Sequence, residues 1–316
     1  MITLDSGSRD PFYNQAFEEY VFETFRDEEV LLLWRNDPAV IVGCYQNICR
    51  EVHVPTLRRL GIPVVRRISG GGTVYHDAGN LNYSLMLPQT ERINYQRCME
   101  PVIRALNALG VPAYADRVCD IALDGRKISG SAQRSAGGRV LHHGTLLYCS
   151  DLTRLDAITT ASKNACIETK GTPSAICRVT NIADHLARPL PLEDFARALR
   201  EQILPPGSRQ VELDGAQRAQ VERLRDEKYR SWAWTWGKTP AFTYDRQGRF
   251  DGATIHTAYT ARKGILSGLR IESPRIAANA AERFGREPRL DPEELMRVCR
   301  DLVGDERAEA LLECLL

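Results

Sequence analysis

Apolar residues follow first a helical and then a strand-like spacing near the start of the chain. Behind Pro11, a residue favoured at the first position of a helix, apolar side chains recur about once per turn, which predicts a helix over 11–24. Two short apolar runs follow at 30–34 and 39–42, and the Asn-Asp-Pro sequence at 36–38 is a turn signal. The pattern therefore predicts one helix and then two strands.

The middle of the chain contains strands joined by tight turns, with helices between them. The same reasoning predicts helices over 55–60 and 99–109 and strands over 63–65, 73–75, 81–87, 121–123, 127–129 and 139–148. Apolar and polar residues alternate over 81–87, which predicts a strand buried on one face. Asp124 and Gly125 suit the type I′ turn of a hairpin. Because hairpins predominate, the predicted fold class is α+β.

A mainly helical pattern extends from residue 151 to about residue 229, and it is clearest over 192–203 and 217–229. Three of the four tryptophans then fall within 232–242, a density typical of a packed anchor between elements.

Beyond the tryptophans the pattern changes to strands over 242–271 and a helix over 292–312. A β-then-α unit of about 70 residues is long enough to form a second domain. The sequence therefore predicts a large domain over 1–238 and a small C-terminal domain over 239–316.

Charge and composition exclude several classes of function. Lys and Arg number 42 against 41 Asp and Glu, and the net charge of +1 gives no support for a nucleic-acid-binding protein. No apolar run approaches the roughly 20 residues that span a bilayer. Residues 1–10 lack the basic and apolar regions of a secretory signal. We therefore expect a cytoplasmic protein with no nucleic-acid or membrane partner.

The nine cysteines are scattered and form no CxxC pair, which argues against a zinc ribbon or a redox dithiol. Their odd number predicts reduced and mostly buried thiols. Cys149 and Cys177 match no motif of a catalytic cysteine, and both are predicted to be buried thiols.

A glycine-rich stretch carries the strongest chemical signal. Arg66 and Arg67 precede the sequence Ile-Ser-Gly-Gly-Gly-Thr-Val-Tyr-His-Asp at 68–77. Consecutive glycines let the backbone take positive φ and approach a ligand closely, while neighbouring N–H groups and arginines favour an anion. The stretch is neither a Walker A sequence nor GxGxxG. On its own it predicts a phosphate or carboxylate site, with a flexible hairpin loop as the alternative.

Two further motifs follow downstream. Lys127 leaves a hairpin turn at the start of a strand, and the small residues at 129–132 leave room beside it for a ligand. His142 and His143 are neighbours on a predicted strand, so their side chains point to opposite faces and do not share a metal comfortably. We expect one of them to be structural. No GxSxG elbow is present, so a serine hydrolase is not supported.

Taken in order, these motifs resemble the lipoate–protein ligase family. The matching residues are Arg66 to Asp77, Gly79 and Asn80, Lys127 to Ala132 with Arg134, and His142 to Thr145. Further similarity is found at Asn14 to Glu19, Leu33 to Asn36, Arg178 to Asn181, and the segment that holds the tryptophans. The resemblance therefore covers nearly the whole chain.

The resemblance implies a catalytic domain with a large mixed or antiparallel sheet, of the type shared with biotin–protein ligases, and a small α+β accessory domain. In this family lipoate and ATP condense to lipoyl-AMP with release of pyrophosphate, usually with Mg²⁺. The lipoyl group then passes to a lysine of a lipoyl domain in a 2-oxo acid dehydrogenase E2 subunit, or of the glycine cleavage H protein. The expected state is a monomer.

The resemblance also assigns roles to individual residues. Lys127 is the expected catalytic residue, an electrostatic catalyst between the lipoyl carboxyl group and the α-phosphate. The expected ATP-binding residues are Arg67, Gly72, Thr73, Val74, Tyr75 and Lys127. The expected lipoate-binding residues are Gly71, His76 and Lys127, with an apolar lining of Val42, Val74 and Leu146. Secondary candidates near the adenylate are Asn80, Asp120, Arg134 and His143. No metal ligand is assigned.

Two alternatives stay open. A transferase on the same fold would take a lipoyl or octanoyl group from a preformed activated or protein-bound donor. A non-catalytic protein would bind nucleotide or lipoyl domain without turnover. Two positions also depart from the family's pattern, since Ile68 stands where some members have a polar residue and Cys44 where a basic residue is frequent.

Overall fold

A computed structural model describes residues 1–89, 94–158, 166–174 and 177–316 of the chain. Its helices are α1 (Pro11–Thr24), α2 (Ile48–Glu51), α3 (Val54–Arg59), α4 (Tyr95–Ala108), α5 (Leu152–Ile158), α6 (Leu192–Ile203), α7 (Gly215–Leu224), α8 (Trp232–Thr235), α9 (Pro292–Val303) and α10 (Asp305–Leu315). Short 3₁₀ turns cover Ala183–His185 and Ala280–Phe284, and a π-helical turn covers Arg225–Tyr229.

The strands before residue 238 are β1 (Ile2–Leu4), β2 (Val30–Trp34), β3 (Ala39–Val42), β4 (Val64–Arg66), β5 (Val74–His76), β6 (Asn80–Pro88), β7 (Tyr114–Ala115), β8 (Asp120–Leu123), β9 (Arg126–Ala136), β10 (Arg139–Leu147), β11 (Ile167–Thr169) and β12 (Arg209–Gln210). The strands of the C-terminal part are β13 (Phe242–Phe250), β14 (Ala253–Arg262) and β15 (Ile265–Glu272).

Eight strands form the large sheet, in the order β12-β1-β2-β6-β10-β9-β8-β7. Strand β1 runs parallel to both of its neighbours, and the other pairs are antiparallel. Alternate residues of β2 enter different cores, because Leu31 and Leu33 pack on the side of α4 and α6 while Val30 and Leu32 pack on the side of α1 and α7. This mixed sheet, covered on both faces, confirms the predicted α+β class.

The glycine-rich stretch connects two strands of a separate three-stranded sheet, whose order is β4-β3-β5. Strand β4 is parallel to β3 and β5 is antiparallel to it, so the loop at 67–73 crosses the end of β3. At this crossing the loop lies so close to Gly43 that a Cβ there would be 2.2 Å from the carbonyl oxygen of Gly71. Gly71 itself has a φ of 85°, which favours glycine. We call 67–73 the glycine loop.

The small domain consists of the sheet β11-β13-β14-β15 with α9 and α10 packed against it. Its core is continuous with that around β3, since Val40 and Val42 belong to the same apolar cluster as Phe242 and Leu266. Strand β11 precedes the predicted domain division in the chain, yet it pairs with β13. The two parts of the chain are therefore joined by a shared sheet edge and a shared core.

The bounds of some helices and strands were predicted correctly, and those of others were not. The predictions for α1, β2 and β3 are confirmed to the residue. Strand β6 was wrongly predicted to be buried on one face, because α1 covers its second face and buries Asn82 and Ser84. The helix predicted over 292–312 is in fact two helices, interrupted at Gly304. Strands β11 and β12 were missed inside a region predicted to be mainly helical.

The prediction of mostly buried thiols is only partly correct. Cys49, Cys98, Cys299 and Cys314 are buried, whereas Cys149 is exposed and its prediction was wrong. Cys177 was also predicted to be buried and is instead partly exposed, as are Cys44, Cys119 and Cys166. The chain thus carries several accessible thiols in addition to those in its cores.

Candidate active site

A cavity of about 200 Å³ lies between the glycine loop and strands β8 to β10 of the large sheet. Nine of the residues predicted for the site line it: Arg67, Gly71, Gly72, Thr73, Val74, His76, Asp120, Lys127 and His143. The three motifs, which are far apart in the sequence, therefore meet around one space.

Several predicted residues do not line this cavity. Asn80 hydrogen-bonds to Asn82, and Arg134 donates to the carbonyl oxygen of Ile68 behind the loop. The side chain of Tyr75 is buried in the core around β3. Of the expected apolar lining, Val74 is in place, whereas Val42 and Leu146 are packed inside two different cores.

The guanidinium group of Arg67 donates hydrogen bonds to the backbone of the glycine loop. Its Nη2 donates to the carbonyl oxygens of Gly70 and Gly72, each at 2.6 Å, and its Nε donates to Ser69 Oγ at 3.0 Å. Its Nη1 donates to the carbonyl oxygen of Ile41 at 3.1 Å. Burial lowers the pKa of Arg67 to about 10, which leaves the group charged at neutral pH. Arg67 therefore shapes the loop from inside while its positive charge lines the cavity.

Arg66 is fully buried and points to the other side of the loop. Its Nη1 donates to the carbonyl oxygens of Gly43 and Gln46, both at 2.9 Å. Its Nε donates to the carbonyl oxygen of Thr235 at 2.9 Å, and its Nη2 donates to Thr239 Oγ1 at 3.2 Å. One side chain thus ties the turn after β3 to the segment that leads into the small domain.

Lys127 is held at the cavity by an ion pair and by its backbone. Its Nζ lies 2.8 Å from Oδ1 of Asp120, whose side chain is 5% exposed. Its N–H donates to the carbonyl oxygen of Arg178, and its carbonyl oxygen accepts from the N–H of Thr180. A Cβ at Gly130 would lie 2.7 Å from Nζ, so the glycine leaves the space that the ammonium group occupies. A fixed cation at a cavity wall is suited to stabilise a developing anion.

His143 connects the glycine loop to the interior through a buried chain of hydrogen bonds. Its Nε2 is 2.6 Å from Ser69 Oγ, and its Nδ1 is 2.9 Å from Oε1 of Glu18. Glu18 also accepts from Ser84 Oγ at 2.5 Å, and Ser84 accepts from Trp34 Nε1 at 2.9 Å. Glu18 was not among the residues predicted for the site, although an acidic residue on the otherwise buried side of α1 was the available signal.

The two neighbouring histidines face opposite sides of β10, as predicted. His142 contacts Gln133 Nε2 at 2.9 Å and the Tyr83 hydroxyl at 3.3 Å, away from the cavity. Burial lowers the pKa of His142 to about 3. Burial, followed by the charge of Arg67, likewise lowers the pKa of His76 to about 3, and its Nδ1 lies 3.0 Å from Asn36 Nδ2. His76 is therefore a neutral wall of the cavity at neutral pH.

Ser174 is a second residue that sequence reasoning missed. Its Oγ accepts from the N–H of Thr73 at 2.8 Å and from Gln46 Nε2 at 3.0 Å, and it donates to Oε2 of Glu51. Burial raises the pKa of Glu51. An N–H group of the loop that is suited to an anion is thus satisfied here by a hydroxyl oxygen, and a nucleotide that uses this N–H must displace Ser174.

Comparisons with known proteins identify the family of this chain. A family model described as the lipoyl protein ligase A/B catalytic domain matches residues 10–204. Lipoate–protein ligase 1 of Staphylococcus aureus is 37% identical over 270 residues, which are 83% of this chain and 81% of that protein. Lipoate–protein ligase LplJ of Bacillus subtilis is 34% identical over 279 residues, which are 86% and 84% of the two chains.

Solved structures show the same fold. LipL1 of P. falciparum, solved in complex with lipoate, matches with a TM-score of 0.64 at 21% identity and covers 99% of this chain and 98% of its own. A lipoate–protein ligase A bound with ATP matches with a TM-score of 0.60 at 25% identity, over 74% of this chain and 96% of its own. The mixed sheet with its small C-terminal domain is therefore the architecture of lipoate–protein ligases. The chain belongs to the lipoyl protein ligase A/B catalytic domain family.

The described residues were searched for metal ligands and for membrane-spanning helices. Within these ranges, no group of three or more His, Cys, Asp or Glu side chains is arranged to hold a metal ion. None of the described helices is long and apolar enough to cross a membrane.

Replacing Arg67 by Lys tests whether the guanidinium group organises the glycine loop. An ammonium group cannot donate to Ile41, Gly70 and Gly72 in the same fixed directions, so we expect a loss of about 1–3 kcal/mol in unfolding free energy. Amide hydrogen exchange over 69–73 should accelerate. Arg188→Lys, at an exposed position, is the matched control. Unchanged exchange in the Arg67→Lys variant would show that the loop does not depend on this side chain.

The buried histidines predict a loss of stability in mild acid. Since the folded pKa values of His76 and His142 are about 3, below the unfolded value of about 6.5, protonation favours the unfolded state. Stability should therefore fall as the pH drops from about 6.5 towards 3, by roughly 1–2 kcal/mol per histidine between pH 7 and pH 5. Urea unfolding at both pH values measures this loss. His142→Gln should reduce it, and an equal loss in the variant would contradict the assignment.

Proposed function

We propose that this chain is a lipoate–protein ligase, which activates lipoate with ATP to lipoyl-AMP and transfers the lipoyl group to a lysine of an acceptor protein. The observation that carries the proposal is the position of Lys127, whose ammonium group is fixed by Asp120 in a cavity walled by the glycine loop. The relatives named lipoate–protein ligase, and the matching structures with lipoate or ATP, support it.

In the first step, an oxygen of the lipoate carboxylate bonds to the α-phosphorus of ATP, and the bond from that phosphorus to the pyrophosphate oxygen breaks. Both reactants are anions, so their approach needs fixed positive charge and N–H donors. We assign the positive charge to Lys127 and to Arg67. Arg67 donates to the carbonyl oxygens of the glycine loop and also lines the cavity. The donors that we propose are the backbone N–H groups of Gly72 and Thr73 in the glycine loop and of Val74 and Tyr75 at the start of β5. The N–H group of Thr73 becomes available when Ser174 is displaced.

In the second step, the neutral amine of the acceptor lysine bonds to the carbonyl carbon of lipoyl-AMP. The carbon–oxygen bond to AMP then breaks, AMP leaves, and one proton is released from the amine. The oxyanion of the intermediate forms beside the position of the former carboxylate, where Lys127 Nζ can stabilise it. Since Lys127 forms no covalent bond to the substrate in either step, its role is electrostatic.

The cavity also suggests how the acyl chain is bound. His76 and Gly71 line it together with the apolar side chains of Trp34, Ile41 and Val74. Because His76 is neutral, it adds no charge to this region. We assign this side of the cavity to lipoate and the side of Lys127 and Asp120 to the phosphate that is attacked.

The residues present fit Mg²⁺ bound mainly by phosphate oxygens. Asp120 is the one carboxylate among the described residues that line the cavity. Mg²⁺ in nucleotide sites is commonly bound by one or two carboxylates together with substrate phosphates and water. Asp120 would hold the ion, which would supply further neutralisation of phosphate charge.

The proposal includes the acceptor and the domain roles. We propose lipoyl domains of 2-oxo acid dehydrogenase E2 subunits and the glycine cleavage H protein as acceptors. We also propose that 1–238 is the catalytic domain and 239–316 the accessory domain. A monomeric state, a cytoplasmic location and the lack of nucleic-acid or membrane partners stay predictions.

Lys127→Ala tests the proposed role directly. Removing one fixed donor to a developing anion typically costs a factor of about 10²–10³ in turnover. We expect a loss of this size in pyrophosphate release with lipoate and ATP, and a second loss in lipoyl transfer from purified lipoyl-AMP. Arg126→Ala, at the exposed neighbouring position, is the matched control and should keep its activity.

Three results would contradict the proposal in different ways. Wild-type protein that releases no pyrophosphate from ATP with lipoate or octanoate is not a ligase. Transfer from a preformed lipoyl donor without any activation by ATP would favour the transferase alternative. Acceptor binding that is unchanged in Lys127→Ala, with no turnover in either protein, would favour a non-catalytic binder.

A further inference from the structure

A second, larger depression lies where the large domain meets the small one. It has a volume of about 1340 Å³ and is formed by parts of 168–170, 232–243 and 260–263. It therefore includes the end of β11, the segment that holds the tryptophans, and the turn that follows β14. We call it the basic groove.

The charge of the groove differs from that of the whole chain. Lys170, Lys238, Arg262 and Lys263 line it together with a single carboxylate, Glu168. All four cationic side chains are exposed, and none of them forms a salt bridge with a residue that the structure describes. The chain as a whole carries a net charge of only +1, so this concentration is local. Unpaired cations at one surface attract an acidic partner.

The floor of the groove is rigid and partly apolar. Trp232 donates from Nε1 to the carbonyl oxygen of Leu290 at 3.1 Å, and the guanidinium group of Arg289 lies 5.0 Å from the centre of its ring. Gly264 fits against this indole, since a Cβ there would be 2.7 Å from the ring. Phe242 is buried beside it. Aromatic and apolar surface between cations is a feature of protein interfaces.

The groove is connected to the turn after β3 through hydrogen bonds. Arg66 donates to Thr235 and Thr239 in the segment that forms the groove, and also to the carbonyl oxygen of Gly43 in that turn. Thr172, two residues after Lys170, donates from its N–H to the carbonyl oxygen of Tyr45. The turn itself contacts the glycine loop, since Cys44 donates from its N–H to the carbonyl oxygen of Ser69. One layer of hydrogen-bonded backbone therefore lies between the groove segment and the glycine loop.

We propose that the basic groove docks an acidic face of the protein domain that carries the acceptor lysine. The inference rests on the proposed function, because it assumes that the reaction ends on a protein. A folded domain fits better than a small anion, since three separate segments of the chain carry the four exposed cations, which therefore do not converge on one small pocket. A nucleic acid is disfavoured because the net charge of the chain is only +1.

The test uses the full-length protein with Lys238→Glu and Arg262→Glu combined. We expect the KM for an E2 lipoyl domain to rise about tenfold or more at low salt, and the difference from wild type to shrink as salt is added. Pyrophosphate release with lipoate and ATP alone should be unchanged. Arg262→Glu alone leaves the contact between Lys238 and Trp234 in place and should still raise the KM, which separates a charge effect from loss of that contact.

The matched control carries the same change in charge elsewhere on the small domain. Arg283 and Arg297 are exposed and lie outside the groove, and their combined change to Glu should leave the KM near wild type. An unchanged KM in the groove variant, an equal rise in the control, or tighter binding of an oligonucleotide than of the lipoyl domain would overturn the proposal. Failure of the proposed function would appear separately, as absent pyrophosphate release by wild type. Direct binding of the lipoyl domain to both variants would then still decide the docking site.

Discussion

The burial of two adjacent arginines is the constraint on which the arrangement of the site depends. Arg66 and Arg67 are at most 5% exposed, and neither forms a salt bridge with a described residue. A buried charge is costly unless hydrogen bonds replace its hydration, and here backbone carbonyls do so. A displacement of the glycine loop or of the turn after β3 would leave guanidinium donors without partners. The loop is therefore held in shape before any ligand arrives, which is the condition for electrostatic catalysis.

The same hydrogen bonds explain why the roles of these arginines could not be predicted. A sequence shows that Arg67 precedes a glycine-rich loop, and both phosphate binding and loop organisation are consistent with that pattern. The choice depends on where carbonyl oxygens lie in three dimensions. The contacts of Glu18 and Ser174 could not be predicted for the same reason. Glu18 contacts His143, which is 125 positions away in the chain, and Ser174 contacts Thr73, which is 101 positions away. The motifs predicted many of the residues that line the cavity, whereas the contacts among them and the places of Glu18 and Ser174 follow only from the fold.

Secondary structure shows a related limit. The bounds of α1, β2 and β3 followed from the sequence, because Pro11 marks the start of the helix and a turn signal separates two unbroken apolar runs. Strand β6 also has a clear alternation, but its polar residues are buried because α1 covers that face and supplies Glu18 as a partner for Ser84. Strands β11 and β12 have three and two residues, too few for any period to be recognised, and they form only because an edge strand is available for pairing.

The cations of the chain fall into groups that its net charge conceals. The charges of Arg66 and Arg67 are solvated by backbone carbonyl groups, and Lys127 is paired with a buried carboxylate, so their fields act at short range on the loop and the cavity. The lysines and arginine of the basic groove are exposed and have no such partners among the described residues. Exposed charges act over about a Debye length of 8–10 Å, which is suited to attracting a protein partner. Charges that are removed from water interact more strongly with a nearby ion, which is suited to stabilising a transition state. Arg66 contacts both the turn after β3 and the segment that forms the basic groove. A partner that shifted Thr235 or Thr239 would therefore also disturb the hydrogen bond from Arg66 to the carbonyl oxygen of Gly43.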